Sequence, residues 1–191
     1  MSHYSTIKLE IRDKQTLIQT LDAMGYKPQI FEEAQHLYGF QGDRRPQTAE
    51  VIVPRQQVGG ASNDLGFKWN GQAYEMIVSD WDRRQIGRFR YQYAKIIIQQ
   101  QAQQMGLVVT EKPLPGGTIQ FTLSSASGQM SAEVLTDGSI KVGVHGVLGA
   151  GCLQFSQALE SALGEEQDRQ QTEEFYAQQN VYYQNQQQIG Y

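Results

Sequence analysis

A strand followed by a helix that ends at a Met-Gly pair occurs twice in this sequence. In the first copy, residues 4–11 alternate between apolar and polar, and Asp13 precedes a helical repeat of apolar residues that stops at Gly25. In the second copy, Asp82 precedes a helical repeat over residues 83–104 that stops at Gly106. Two such units predict a split βαβ-like sandwich.

Short strands with turn signals separate these two units. Asn70-Gly71 between alternating segments is the strongest short-range signal of a β-hairpin, because both residues tolerate the positive φ of a tight turn. Residues 57–63 are polar and glycine-rich, which predicts a loop. We therefore expect inserted antiparallel hairpins, with strands over residues 29–31, 36–40, 49–54, 65–69 and from 72 onward.

The second half of the chain has a different pattern. Residues 113–117 read Pro-Leu-Pro-Gly-Gly, which predicts a linker after a first domain of residues 1–112. Three alternating segments and a helical repeat follow, so residues 118–164 are predicted to form a small βββα unit. Residues 165–191 are rich in Gln and Tyr and are interpreted as a tail. The predicted fold class is α+β.

Composition excludes several classes of protein. The 191 residues hold one cysteine and no internal disulfide, and sixteen Lys and Arg against twenty Asp and Glu give a net charge of −4. A general affinity for nucleic acid is disfavoured, because such proteins normally carry a basic excess. The start has no signal-peptide pattern, and no apolar run reaches the length of a membrane span. These features predict a protein of the cytoplasm, and the oligomeric state stays open.

A glycine-rich segment, residues 143–152, precedes the last helix. It fails both nucleotide-binding patterns, because Cys152 and Leu153 stand where a phosphate loop needs Lys and a hydroxyl, and Gln154 replaces the third glycine of a dinucleotide fingerprint. We interpret the segment as a tight turn. An anion site or reactive thiol at the helix start is the alternative, at Gly149, Gly151 and Cys152.

Helical phase bears on the chemistry of the single cysteine. Cys152 shares a stripe with Phe155, Leu159 and Leu163, which favours a buried thiol that packs as a small apolar side chain. A thiolate activated by the helix dipole, or a partly exposed thiol without chemistry, remains an alternative. The three histidines, His3, His36 and His145, are too far apart in sequence to predict a metal site, and no cofactor is predicted.

Residues 81–95 form the one basic and aromatic stretch. On a helix, Ile86, Phe89, Tyr93 and Ile97 would face the core. An opposite face would carry the candidate partner-binding residues Arg84, Arg88, Tyr91 and Lys95. An ordinary solvated face is the simplest interpretation. The others are a docking surface for an acidic partner and, third, a site for RNA or a lipid headgroup.

Three motifs lie near the N-terminus: the opening MSHYSTIK, Ile11-Arg12-Asp13 and Met24-Gly25-Tyr26. With them, residues 1–112 resemble an uncharacterised family of cyanobacteria and algal plastid genomes, the hypothetical chloroplast frame thirty-five family. The second half resembles another small family of unknown function, in Asp137-Gly138 and in the residues around His145 and Cys152. The resemblance implies a protein of a photosynthetic lineage, located in the plastid stroma in algal relatives, and it brings no active site.

These observations rank three functions. A non-catalytic accessory or adaptor protein that binds another protein comes first, because no catalytic motif is complete. A redox or thiol enzyme that uses Cys152 comes second, and an RNA-binding module comes third. We therefore expect a protein partner, and we do not expect an enzyme, a bound metal or a nucleic-acid ligand.

Overall fold

The computed structural model describes residues 3–126, 128–145 and 151–171, with the backbone alone at residues 4 and 151–155. The chain forms two compact units. The central unit runs from Glu10 to Ile96, and the terminal unit combines the residues up to Leu9 with those from Ile97 onward. The strands pair antiparallel throughout the described residues, in two sheets accompanied by helices. The predicted α+β class is confirmed.

The terminal unit contains a sheet of six strands in the order β10-β1-β9-β8-β7-β6. One helix, α4, packs against β1, β9 and β10. The core side chains alternate along the strands, as in Phe121 and Leu123 of β7, and Leu159 and Leu163 of α4 are also fully buried. The elements are β1 (His3–Leu9), β6 (Val108–Pro113), β7 (Ile119–Ser125), β8 (Gly128–Val134), β9 (Ser139–His145), α4 (Gly151–Leu163) and β10 (Gly164–Gln171). The predicted βββα unit corresponds to β7, β8, β9 and α4.

The structure divides the chain differently from the predicted domains 1–112, 113–117, 118–164 and 165–191. Strand β1 is hydrogen-bonded to β9 on one side and β10 on the other, so the N-terminal strand belongs to the terminal unit. The predicted linker is the turn of the β6–β7 hairpin, closed by a 2.8 Å hydrogen bond from Leu114 N to Thr118 O. Residues 164–171 form a polar edge strand. Long-range strand pairing decides the first and third points, whereas the second follows from a local hairpin.

The central unit contains a four-stranded sheet in the order β2-β3-β4-β5. Its largest buried side chains are aromatic: the Phe67 and Phe89 ring centroids lie 4.8 Å apart, and those of Phe89 and Tyr93 lie 5.8 Å apart. Burial of such a side chain contributes about 1.5–3 kcal/mol. The elements are α1 (Lys14–Ala23), β2 (Gln29–Tyr38), β3 (Arg44–Val53), α2 (Arg55–Val58), β4 (Leu65–Trp69), β5 (Tyr74–Ile77) and α3 (Arg84–Met105), whose residues from Ile97 onward belong to the terminal unit.

Several local predictions are confirmed in the central unit. The Asp13 carboxylate accepts a 2.6 Å hydrogen bond from Thr16 N and so caps α1, and Gly25 ends that helix with a φ of 85°. The predicted hairpin at Asn70-Gly71 is also present, but its connection takes residues 70–73 and not two residues, and Asn70 Oδ1 accepts from Gln72 N and Ala73 N within it. The two predicted strands over 29–31 and 36–40 are one irregular strand, β2. The strand of the first strand–helix repeat, β1, lies in the six-stranded sheet, whereas that of the second, β5, lies in the four-stranded sheet. The two repeats therefore do not place parallel strands side by side, as a βαβ arrangement would.

Asp64 joins three segments of the central unit. Its buried carboxylate accepts hydrogen bonds from Tyr38 N at 2.7 Å and from Arg55 N at 2.8 Å, and its own N–H donates to Tyr38 O at 2.9 Å. The end of β2 is thereby fixed to the start of α2 and to the residue that precedes β4. A buried carboxylate that accepts two backbone N–H groups leaves both without an acceptor when it is removed.

We expect Asp64→Ala to lower the free energy of unfolding by about 2 kcal/mol, because two backbone donors lose their acceptor. Asp64→Asn keeps one acceptor oxygen and should lose about half as much. Urea denaturation measures both. The matched control is Asp43→Asn, an exposed carboxylate beside Arg45, which should change stability by less than about 0.5 kcal/mol. Equal stability of the Ala, Asn and parent proteins would contradict the role assigned to Asp64.

Candidate functional site

The first 12 residues of α3 carry a cationic stripe opposite the buried side of the helix. Arg84, Arg88, Tyr91 and Lys95 follow one another at spacings of four, three and four residues. At 3.6 residues per turn they fall within about 60° of one another on the helix surface. We call these four residues the α3 stripe. Arg84 and Arg88 are exposed, whereas Tyr91 and Lys95 are half-buried.

The opposite side of α3 belongs to the core, as predicted. Phe89 and Tyr93 are buried in the central unit, and Ile97 is buried further along the helix, while Ile86 is only half-buried. Because these buried residues face the core, the stripe on the opposite side of the helix faces away from it. Arg84 and Arg88 are therefore exposed. The structure thus places the stripe residues on one side of one helix.

Neighbouring contacts organise the stripe. Lys95 Nζ lies 6.0 Å from the Tyr91 ring centroid, which is the outer range of a cation–π contact. Arg88 Nη1 donates to Gln85 Oε1 at 3.4 Å. Just before the helix, Trp81 is 83% exposed, the most exposed large apolar side chain among the described residues. An exposed indole that precedes a row of cations in the chain is a feature typical of binding surfaces.

The basic residues of the chain concentrate in the central unit. It holds twelve of the sixteen Lys and Arg and eleven of the twenty Asp and Glu, which gives +1, whereas the remaining residues carry −5. Residues 83–95 alone hold five cations and no carboxylate. One of the five, Arg83, is paired with Asp80, and the other four lie on α3. The net charge of −4 therefore conceals a local excess of positive charge on α3. Its field attracts acidic groups and is screened by salt beyond about 10 Å at 0.1 M.

A buried polar cluster in the terminal unit was not predicted from the sequence. His3 on β1 is fully buried, and its Nε2 lies 3.0 Å from Ser156 Oγ and 3.3 Å from Glu160 Oε1 on α4. Ser156 and Glu160 both contact Nε2 of the ring. In a nucleophilic triad, the serine and the acid contact different ring nitrogens. Within the described residues, His3 Nδ1 is buried without a hydrogen-bond partner. The geometry is that of a packing network between β1 and α4.

Strand β10 closes this cluster. Arg169 Nη2 donates to Glu160 Oε2 at 2.7 Å and to Glu166 Oε2 at 2.6 Å, and Arg169 Nε donates to Ser5 Oγ at 3.2 Å. Burial acts to raise the pKa of the Glu160 carboxyl, but hydrogen bonds from three neighbouring side chains and the charge of Arg169 outweigh burial and hold the pKa below its usual range. The carboxylate is thus kept ionised while it joins α4 to β1 and β10.

The structure does not test the predicted anion or thiol site. Gly149 lies outside the described residues, and Gly151 and Cys152 begin α4, where only the backbone is described. The site therefore stays a prediction. The three histidines have separate partners: His3 has the buried cluster, His36 has Arg45 O, and His145 has Ser131 Oγ. Within the described ranges, no group of three or more His, Cys, Asp or Glu is placed to hold a metal ion. None of the helices described there is long and apolar enough to cross a membrane.

Two family models match the chain in succession. A model for a protein of unknown function, DUF1257, matches residues 20–122, which is more than half of the sequence. The chain belongs to the DUF1257 family. A second model for a protein of unknown function, DUF2997, matches residues 132–176. The expected fusion of two uncharacterised families is therefore confirmed for this DUF1257 protein. No curated protein and no solved structure matches the chain.

The DUF1257 match contains the α3 stripe and all of the four-stranded sheet, so the candidate surface lies in the part of the chain that the family shares. The DUF2997 match contains β9, α4 and β10, and α4 and β10 supply Ser156, Glu160, Glu166 and Arg169 to the polar network. His3 lies outside both matches. The polar network of this DUF1257 protein thus joins the DUF2997 segment to the N-terminal strand.

The pH dependence of stability tests the role of Glu160. A carboxylate whose folded pKa is depressed stabilises the fold above its unfolded pKa, and this contribution is lost as the pH falls through about 4 toward the folded pKa. We expect Glu160→Gln to lose about 2 kcal/mol at pH 7, because Arg169 loses a buried charged partner. The difference from the parent should shrink as the pH falls below about 4.

Urea denaturation at a series of pH values measures both proteins. Glu166→Gln is the matched control, because Glu166 also binds Arg169 but is exposed at the edge of the sheet, so its removal should cost less than about 1 kcal/mol. If the loss in Glu160→Gln were independent of pH, or no larger than in Glu166→Gln, the buried ion pair would not contribute in the way proposed.

Proposed function

We propose that the protein is a non-catalytic accessory or adaptor protein that binds an acidic protein partner through the α3 stripe. The single observation that carries the proposal is the placement of Arg84, Arg88, Tyr91 and Lys95 on the side of α3 opposite the core, in a stretch with five cations and no carboxylate. Packing uses the other side of the helix. Core packing therefore does not explain why the stripe is charged.

Two features support a protein partner over RNA. The exposed Trp81 offers an apolar anchor of the type that protein interfaces bury at their centre. Aromatic rings between cations also suit stacking on bases, but the chain as a whole carries −4 and would repel a polyanion at longer range. An acidic protein surface carries less charge than a nucleic acid and can contact the stripe without approaching the rest of the chain. Its attraction to the cations would raise the association rate.

Lineage and compartment enter the proposal from the resemblance alone. The N-terminal motifs are similar to those of a cyanobacterial and plastid family, which supports a role in a photosynthetic cell. We therefore propose a location in the cytoplasm, or in the plastid stroma of algal relatives. An accessory role of this kind requires a partner in the same compartment.

The test is a triple substitution, Arg84→Ser, Arg88→Ser and Lys95→Ser. Each exposed charge contributes under about 1 kcal/mol, and the half-buried Lys95 adds only a weak contact with Tyr91, so the melting temperature should change by a few degrees at most. A protein retained by the parent from a photosynthetic cell extract at low salt should be bound about tenfold more weakly by the triple variant. The same protein should dissociate from the parent as salt is raised.

The matched control is Lys27→Ser, Lys68→Ser and Lys112→Ser, which removes the same charge from exposed positions outside the stripe and should keep the partner. Fluorescence anisotropy with labelled single-stranded RNA of mixed sequence forms a second arm. Equal partner binding by the parent and the stripe variant would disprove the proposal. Salt-sensitive RNA binding that only the stripe variant loses would replace the protein partner with RNA.

A further inference from the structure

The hairpin of β2 and β3 is irregular at two places. From Ile30, paired with Val51, to Gln35, paired with Ala49, β2 advances five residues while β3 advances two. A second shift follows between His36 and Tyr38, where β3 advances four residues against two. A regular ladder would advance equally on both strands. Irregularities of this kind bend a strand and redirect its side chains, and they are frequent beside binding sites.

A cleft of about 360 Å³ lies beside these irregularities on the central unit. Gln35 and His36 are consecutive and would point to opposite faces of a regular strand, yet both line the cleft. Its wall also includes Phe31, from within the first irregularity, and the cross-strand pair Tyr38 and Arg44 that ends the second. The volume lies within the range of about 300–1,000 Å³ that is usual for small-molecule sites.

The apolar part of the cleft suits a flat molecule. Phe31 is half-buried and packs on the core formed by Leu37, Ala49 and Ile52. Tyr38 is 44% exposed, and Ile52 lines the cleft from β3. Aromatic side chains supply a large contact area at a small entropic cost, because each has only two side-chain torsions. Two rings and an aliphatic side chain thus provide a surface for an aromatic ring.

The polar part of the cleft favours an anionic group. His36 Nδ1 lies 2.8 Å from Arg45 O, and because a carbonyl can only accept, Nδ1 carries the proton. Nε2 of the neutral ring is then an acceptor, so His36 donates no hydrogen bond to an anion and Arg44 is the group that attracts it. Arg44 is exposed, and within the described part of the chain it forms no ion pair, whereas its neighbour Arg45 is paired with Asp43. A guanidinium binds carboxylate and phosphate through two parallel N–H groups.

One acidic residue also lines the cleft, and its geometry keeps it from repelling such a ligand strongly. Both oxygens of Asp64 accept backbone N–H groups, from Tyr38 and from Arg55, and the side chain is buried. The carboxylate charge is therefore directed into the backbone of the unit. Arg44 is the charged group of the wall that is exposed to solvent.

We propose that this cleft binds a small aromatic acid, with its carboxylate or phosphate on Arg44 and its ring against Phe31 and Tyr38. The site is separate from the α3 stripe and uses none of its residues. It does not depend on the adaptor function, since a ligand could occupy it whether or not α3 contacts a partner.

Titration by ¹H–¹⁵N correlation NMR tests the proposal, with benzoate and phenyl phosphate as the two anionic probes and benzamide as a neutral match for benzoate. We expect saturable shifts at the amides of Phe31, Gln35, His36 and Arg44, with a dissociation constant on the order of 1 mM for a ligand of about ten non-hydrogen atoms. Benzamide should bind at least about fivefold more weakly, because it cannot form an ion pair with Arg44. The tighter anion shows whether the site prefers carboxylate or phosphate.

Substitutions separate this site from general charge effects. Arg44→Gln should weaken binding of the better anion about tenfold, and Tyr38→Ala should weaken it through the ring contact, with the rest of the spectrum unchanged. Arg83→Gln, which removes an exposed arginine that belongs neither to the cleft nor to the α3 stripe, is the matched control and should bind as the parent does. The proposal is overturned if neither anion gives saturable shifts in the cleft, or if Arg83→Gln weakens binding as much as Arg44→Gln. Neither result would bear on partner binding by α3.

Discussion

The hydrogen bonding of β1 on both of its edges is the constraint on which the terminal unit depends. Its antiparallel partners, β9 and β10, come from more than 130 residues further along the chain. Without β1, the sheet would end at β9, and the polar strand β10 would lose its partner. The His3 side chain reaches α4 from the first residue of β1, so that backbone pairing and the buried polar cluster reinforce each other.

The polar cluster gives this junction specificity. Apolar packing is non-directional, but the hydrogen bonds from His3 and Arg169 to Glu160 fix how α4 lies on β1 and β10. A buried ion pair need not add net stability, because desolvation offsets much of its attraction. Its cost when broken is still high, since each remaining partner is left without a counterpart in the interior.

The central unit combines a rigid aromatic core with two different surfaces. Phe67, Phe89 and Tyr93 anchor α3 from one side, which fixes the opposite side as the place for its cations. On the sheet, a cleft lies along the irregular β2–β3 pairing and includes the consecutive residues Gln35 and His36 in its wall. Both surfaces follow from backbone geometry that is determined by buried contacts, and both lie within the DUF1257 match.

The sequence by itself determined the features that depend on neighbouring residues: the α1 cap at Asp13, the turn at Asn70-Gly71, the alternation of β7 to β9 and the cationic side of α3. Their signals are contained within a few residues, because capping, turn formation and helical spacing are local. Only the tertiary structure decided the partners of β1, the strand in residues 164–171, the burial of His3 and the cleft at β2. The sequence of a strand does not specify which distant strand it pairs with, because every backbone offers the same donors and acceptors. Register shifts, in turn, depend on the packing of both strands.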